Sequence, residues 1–67
     1  MLIKKFEHNG LIGKVFKTNT GFYHKIYKGN KQVAQMYYYS HTYEDAVNNM
    51  YDVMETIDVD KAEKFYG

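Results

Sequence analysis

The chain predicts an α+β domain, a three- or four-stranded antiparallel meander with one amphipathic helix packed on one face and a short C-terminal helix after it. Three observations carry this. Tyr43, Ala46, Val47, Met50, Met54 and Ile57 recur at the three- and four-residue spacing of a helix with one buried side. Two aromatic segments, 22–27 and 33–39, flank the tight-turn sequence Lys28-Gly29-Asn30-Lys31. A second turn signal, Asn9-Gly10, separates two further strand-like segments.

In chain order, Leu2–Glu7 and Leu11–Lys17 read as strands joined through His8-Asn9-Gly10, and Thr18-Asn19-Thr20-Gly21 supplies the next turn. Gly13 interrupts its strand and marks either a bulge or a place where backbone or another chain comes close. In the second hairpin, Gly29 and Asn30 tolerate the positive φ of a two-residue turn, which sets Lys28 against Lys31 and Tyr27 against Gln32. Ile26 then lies opposite Val33, Lys25 opposite Ala34, His24 opposite Gln35, Tyr23 opposite Met36 and Phe22 opposite Tyr37. A face with Phe22, Ile26, Val33 and Tyr37 suits the helix, and Tyr23, Lys25, Tyr27 and Tyr38 turn outward. The inverse arrangement, with Ala34 and Met36 inside, fits the same pattern.

The helix is expected to start at Thr42, an N-cap with Asp45 three residues on, and Glu44 and Asp45 complement the positive end of its dipole. Val47, Met50, Met54 and Ile57 are expected to be buried against the sheet, with Glu44, Asn48, Asp52 and Glu55 on the wet side. Asp58 or Asp60 caps a final helix over residues 61–66 that returns Phe65 or Tyr66 to the core, or this end frays.

A chain of 67 residues with 45% hydrophobic content is one domain. It buries only about 60% of its unfolded surface, so stability is marginal and self-association, through a sheet edge or the Tyr37–Tyr39 strand, is expected to help. There is no cysteine, hence no disulfide or thiolate metal site, and neither a signal peptide nor a membrane-spanning run is legible, which makes cytoplasmic residence the expectation. Arginine, tryptophan and proline are absent while lysine, asparagine and tyrosine abound, a bias that an AT-rich genome produces by itself. Residues 1–35 hold seven lysines against Glu7 alone, whereas residues 36–67 hold seven acids against Lys61 and Lys64. The basic half is sheet and the acidic half helix, so the folded molecule should carry charges of opposite sign on opposite sides.

No motif carries catalytic chemistry, and neither an enzyme nor a cofactor is expected. His8, His24 and His41 lack metal-ligand spacing and read as solvated or turn-associated. Ser40-His41 point in different directions near a helix start, and Gly29-Asn30-Lys31 lacks the remaining residues of a phosphate loop. What stands out is the tyrosine density, above all Tyr37-Tyr38-Tyr39, where strand alternation forces a ring away from the core. With Lys14, Lys25 and Lys28, the rings of Tyr23, Tyr27 and Tyr38 form a candidate contact surface, suited to stacking on bases and attracting phosphates or to burial against a protein.

The run Tyr23-His24-Lys25-Ile26-Tyr27-Lys28-Gly29-Asn30-Lys31, the aromatic strand after it, Thr42-Tyr43-Glu44-Asp45-Ala46 and Tyr51-Asp52 carry a likeness over residues 21–57. This stretch resembles the DNA-binding domains of plant ethylene-response factors and the arm-site-binding domains of phage-type tyrosine integrases. The resemblance implies a three-stranded antiparallel sheet backed by one helix, with the outer sheet face toward the major groove. The arginines and tryptophans that read DNA in those families are replaced by lysines and tyrosines. Lysine lacks the flat two-donor fork of arginine, which argues against base-specific reading. The expectation is therefore a small non-enzymatic module that binds nucleic acid through its lysine and tyrosine sheet face. The alternative is a protein-interaction module, an inhibitor or adaptor of the kind phages encode, docking through its aromatic strand or acidic helix, with a homodimer as one form of it.

Overall fold

The computed structural model describes residues 1–36 and 38–66, with only the backbone of 63–66. It consists of β1 (Leu2–His8), β2 (Leu11–Thr18), β3 (Gly21–Lys28), β4 (Lys31–Gln35), α1 (Tyr43–Thr56) and α2 (Val59–Tyr66). The strands pair antiparallel in chain order, the four-stranded form of the expected meander.

Turn chemistry sets the registers. Asn9 and Gly10 take φ of 53° and 73°, the left-handed pair that a type I′ turn requires, and His8 pairs with Leu11 across them. At the other hairpin Lys28 does pair with Lys31, but only Gly29 is left-handed, with φ 61°. Positive φ at the first turn position alone is the type II′ pattern, so Asn30 adopts no unusual conformation.

Beyond Tyr27 and Gln32 the expected register gives way. Ile26 pairs with Ala34 and Lys25 with Gln35, which makes Val33 an extra, bulged residue. A bulge is tolerated on an edge strand, where it adds twist, and here it leaves both Ile26 and Val33 in the core. β4 stops at Gln35, well short of the expected 33–39. Met36 N–H still donates to His24 O (3.2 Å), so Met36 meets His24 and not Tyr23. The chain then leaves the sheet and returns at Ser40, whose N–H donates to Phe22 O (2.7 Å) and whose carbonyl accepts from Phe22 N–H (2.8 Å). Phe22 thus faces Ser40, where Tyr37 was expected; Tyr37 itself lies outside the described residues. Gly21 admits the returning chain, with φ 150° and a position at which a Cβ would collide with the Ser40 carbonyl oxygen.

Gly13 marks neither a bulge nor an approach of backbone or another chain; what comes close is side chain. It pairs regularly with Phe6 and Ile26, and the bulge in this part of the sheet falls at Ile3. A Cβ on Gly13 would overlap Met50 Sδ and stand 2.9 Å from Met50 Cγ and 3.0 Å from Met54 Cε, so the missing side chain is the seat of α1. The helix begins as expected, with Asp45 N–H donating to Thr42 Oγ1 at 3.1 Å. Ala46, Met50 and Met54 are buried, while Val47 and Ile57, expected inside, are half-buried and flank the seam. The reason is geometric: Met50 and Met54 sit in the Gly13 seat with Ala46 on the same line of the helix, and the residues beside that line ride on the shoulders. Glu44, Asn48, Asp52 and Glu55 face water. Asn9 Nδ2 donates to Met54 O (3.4 Å), tying the first turn to the helix. Asp58, not Asp60, caps α2 by accepting from Lys61 N–H (3.3 Å), and Val59 and Ala62 pack on the core. The expected docking of Phe65 or Tyr66 lies outside the described side chains.

Candidate functional site

Side chains alternate along a strand, so placing Leu11, Gly13 and Val15 of β2 and His24 and Ile26 of β3 toward α1 turns the residues between them to the outer face. The registers then fix who stands beside whom. Lys5 pairs with Lys14, Lys14 with Lys25, and Lys25 with Gln35, giving a row that crosses all four strands with three lysines in succession. Adjacent strands are about 4.8 Å apart, and like charges directly opposite repel, so this row opposes folding by a small amount unless an anion joins it.

Aromatic rows flank the lysines. On one side Leu2 pairs with Phe16 and Phe16 with Tyr23; the Phe16 and Tyr23 rings stack at 4.9 Å and 11°, and Tyr39 leans on Tyr23 at 5.4 Å. On the other side Glu7 pairs with Ile12, and Ile12 with Tyr27. Lys14 Nζ lies 4.5 Å from the Tyr27 ring centre, and Lys25 Nζ lies 5.6 Å from Phe16 and 6.0 Å from Tyr23. Each such contact recovers about 0.5–1 kcal/mol at an exposed site and holds the ammonium low over the sheet. The exposed acids of α1 lie across the sheet from this face.

Of the six residues singled out in the sequence, the fold brings four together: Lys14, Tyr23, Lys25 and Tyr27. Lys28 does not join them, because its place at the end of β3 has the opposite parity, next to the hairpin turn. Tyr38 does not join them either. It is 86% exposed at the bend that replaces the expected strand, on the rim of a groove of about 380 Å³ between β4 and α1, with Met36, Asn49 and Val53 among its lining. The structure adds Lys5, Phe16 and Tyr39. The first two had a signal, since the Asn9-Gly10 turn alone sets 5 against 14 and strand alternation puts Phe16 on the face of Lys14. Tyr39 had none, because its place depends on the return of the chain to Phe22.

The histidines divide. His41 is exposed as expected. His24 is neither solvated nor at a turn: it is 2% exposed, beneath α1, where the small side chain of Ala46 leaves room. Burial pushes its pKa below the ordinary 6.5, against a smaller upward pull from a backbone hydrogen bond with Ala46, and its Nδ1 is buried without a hydrogen-bond partner. His8 packs its ring on Tyr51 (5.2 Å) and brings Nε2 to 3.3 Å from Glu55 Oε1, close enough for an ion pair when protonated but without hydrogen-bond alignment. Among the described residues no three histidine or acidic side chains converge as metal ligands would, and no helix is long and apolar enough to cross a membrane. Compared with known proteins, the chain matches no family model, no curated protein and no solved structure.

Proposed function

We propose that the outer sheet face binds nucleic acid, as a non-enzymatic module in which Lys5, Lys14 and Lys25 meet phosphates and the Tyr23 and Tyr27 rings lie against sugars or unstacked bases. The observation that carries this reading is the lysine row. Three ammonium groups held side by side favour a polyanion, and the rings beside them supply flat apolar surface that any base can use. The acidic side chains of α1 lie across the sheet, and Glu7 is the one acid of the strands on the outer face, at the end of the row beside the lysines. The absence of arginine makes the binding tolerant of sequence.

Labelled duplex and single-stranded oligonucleotides titrated at low salt test this. Three phosphate contacts give a log–log salt slope of about −3 on duplex and about −2 on single strands. Lys14→Gln should weaken binding to every sequence alike and reduce the slope by about 1, while leaving the free protein no less stable because repulsion on both sides of Lys14 is relieved. Tyr23→Ala should cost about 1–3 kcal/mol on single strands. No binding at tens of micromolar, or unchanged binding by Lys25→Glu, defeats the reading.

A second reading, docking of a protein, draws on the groove between β4 and α1. It has an apolar floor at Ala34 and Val53, with the exposed Tyr38 ring at its edge. Tyr38→Ala should abolish such docking and leave oligonucleotide binding unchanged.

A further inference from the structure

We infer that β1 is a self-recognition edge, and that two copies of this chain join antiparallel about a twofold axis at Phe6 into a continuous eight-stranded sheet. The inference rests on strand pairing alone and is independent of nucleic-acid binding.

Backbone parity limits the possible registers. Lys17 N–H donates to Met1 O and Met1 N donates to Lys17 O, both at 2.8 Å, and a two-residue turn makes its flanking pair, His8 and Leu11, hydrogen-bonded as well. The odd residues of β2 therefore aim their backbone groups at β1, where Lys4, Phe6 and His8 are their partners. The intervening residues, Lys5 and Glu7, direct N–H and C=O away from β2, to the open edge. Only registers that set odd residues opposite odd residues let these groups bond to a second β1.

Charge and geometry choose among those registers. Centring on Lys5 puts Lys5 against its own copy and Glu7 against the bulge at Ile3. Centring on Glu7 puts the two glutamates together and Lys5 against Asn9, which is in the turn at φ 53°. Centring on Phe6 sets Lys5 against the second copy's Glu7 twice over, with four backbone hydrogen bonds, and uses just the regular segment between bulge and turn. On the inner face the two Phe6 rings meet as a non-hydrogen-bonded pair, in which side chains approach closest. Lys4 then falls opposite the second copy's His8, beside the Glu55 carboxylate already drawn to that histidine. The lysines that deter unrelated edges thus favour this one. The three-lysine rows of the two copies come to lie on one sheet surface.

Sedimentation equilibrium without nucleic acid, up to about 1 mM, tests the pairing, since contacts this small are usually weak. Wild type should be dimeric at the upper end. Lys5→Glu and Glu7→Lys, both at exposed positions and hence foldable, should each raise the dissociation constant about tenfold by turning two unlike pairs into like ones. The double variant Lys5→Glu/Glu7→Lys should restore dimerisation. In wild type, amide exchange at Lys5 and Glu7 should slow as concentration rises while that at Phe6 is already slow. A monomer at about 1 mM, a dimer indifferent to the single swaps, a double swap without rescue, or concentration-independent exchange at Lys5 and Glu7 each overturns the inference.

Discussion

His24 is the residue at which polarity and position conflict. Its strand parity assigns it to the core, yet an imidazole there must stay neutral, because burial holds its pKa below 6.5. The sign of the pH dependence follows. In the unfolded chain the ring binds a proton near pH 6.5; in the folded one it resists until lower pH. Stability from this group is therefore complete above about 6.5 and is lost as pH falls through 6.5 toward the lower folded value, at no more than about 1.4 kcal/mol per pH unit. Urea midpoints at pH 7.5, 6.5 and 5.5 should show the decline in wild type, and His24→Leu should flatten it; an unchanged slope in that variant would assign the effect to other groups. The residue was hard to identify beforehand, since histidine reads as polar in any hydrophobic pattern. The one cue was Ala46, the smallest member of the helix face, whose significance emerges only when the helix is laid across β3.

At the level of elements, two glycines do different work. Gly13 leaves room for a flexible side chain, Met50, whereas Gly21 leaves room for backbone, the Ser40 carbonyl, and also holds a φ of 150° that other residues resist. Gly13→Ala should cost about 1–3 kcal/mol as Met50 is driven off its seat, and Gly21→Ala should cost more, because a strand cannot yield as a thioether can. Denaturant midpoints decide it, and a milder Gly21→Ala would mean that the bridge to Ser40 contributes little. The same contrast explains what was legible. Turn residues act locally, so Asn9-Gly10 and Gly29 set the first pairings, as Thr42 set the α1 cap; strand alternation grouped Tyr23, Lys25 and Tyr27 on one face of β3 and left open which face is buried. The bulges at Ile3 and Val33 and the loss of strand after Gln35 answer to long-range fit, which no local signal encodes. Tyr38 was misplaced on that account, whereas Lys28 is excluded by strand alternation itself, being one residue beyond Tyr27.

For the molecule as a whole, the charge segregation of the sequence becomes segregation in space only in part: Lys5, Lys14 and Lys25 lie on the outer face, across the sheet from the acids of α1, whereas Lys4, Lys17, Lys28 and Lys31 have the parity of the helix side. The molecule is elongated, with principal extents of 32 × 19 × 18 Å. The strand order has a further consequence, for speed. Every strand pair closes over a tight turn or a near neighbour in the chain, so little loop entropy is spent before the sheet forms, and the longer intervals are those of α1 docking on β2 and β3 and α2 on β4. The chain also contains no proline, so no peptide bond isomerises slowly. Refolding at low concentration should be a single exponential on a timescale of milliseconds, with stopped-flow tyrosine fluorescence as the readout. A kinetic phase of tens of seconds would contradict the short-range wiring of the sheet, since neither a disulfide nor a prolyl bond is present to cause one.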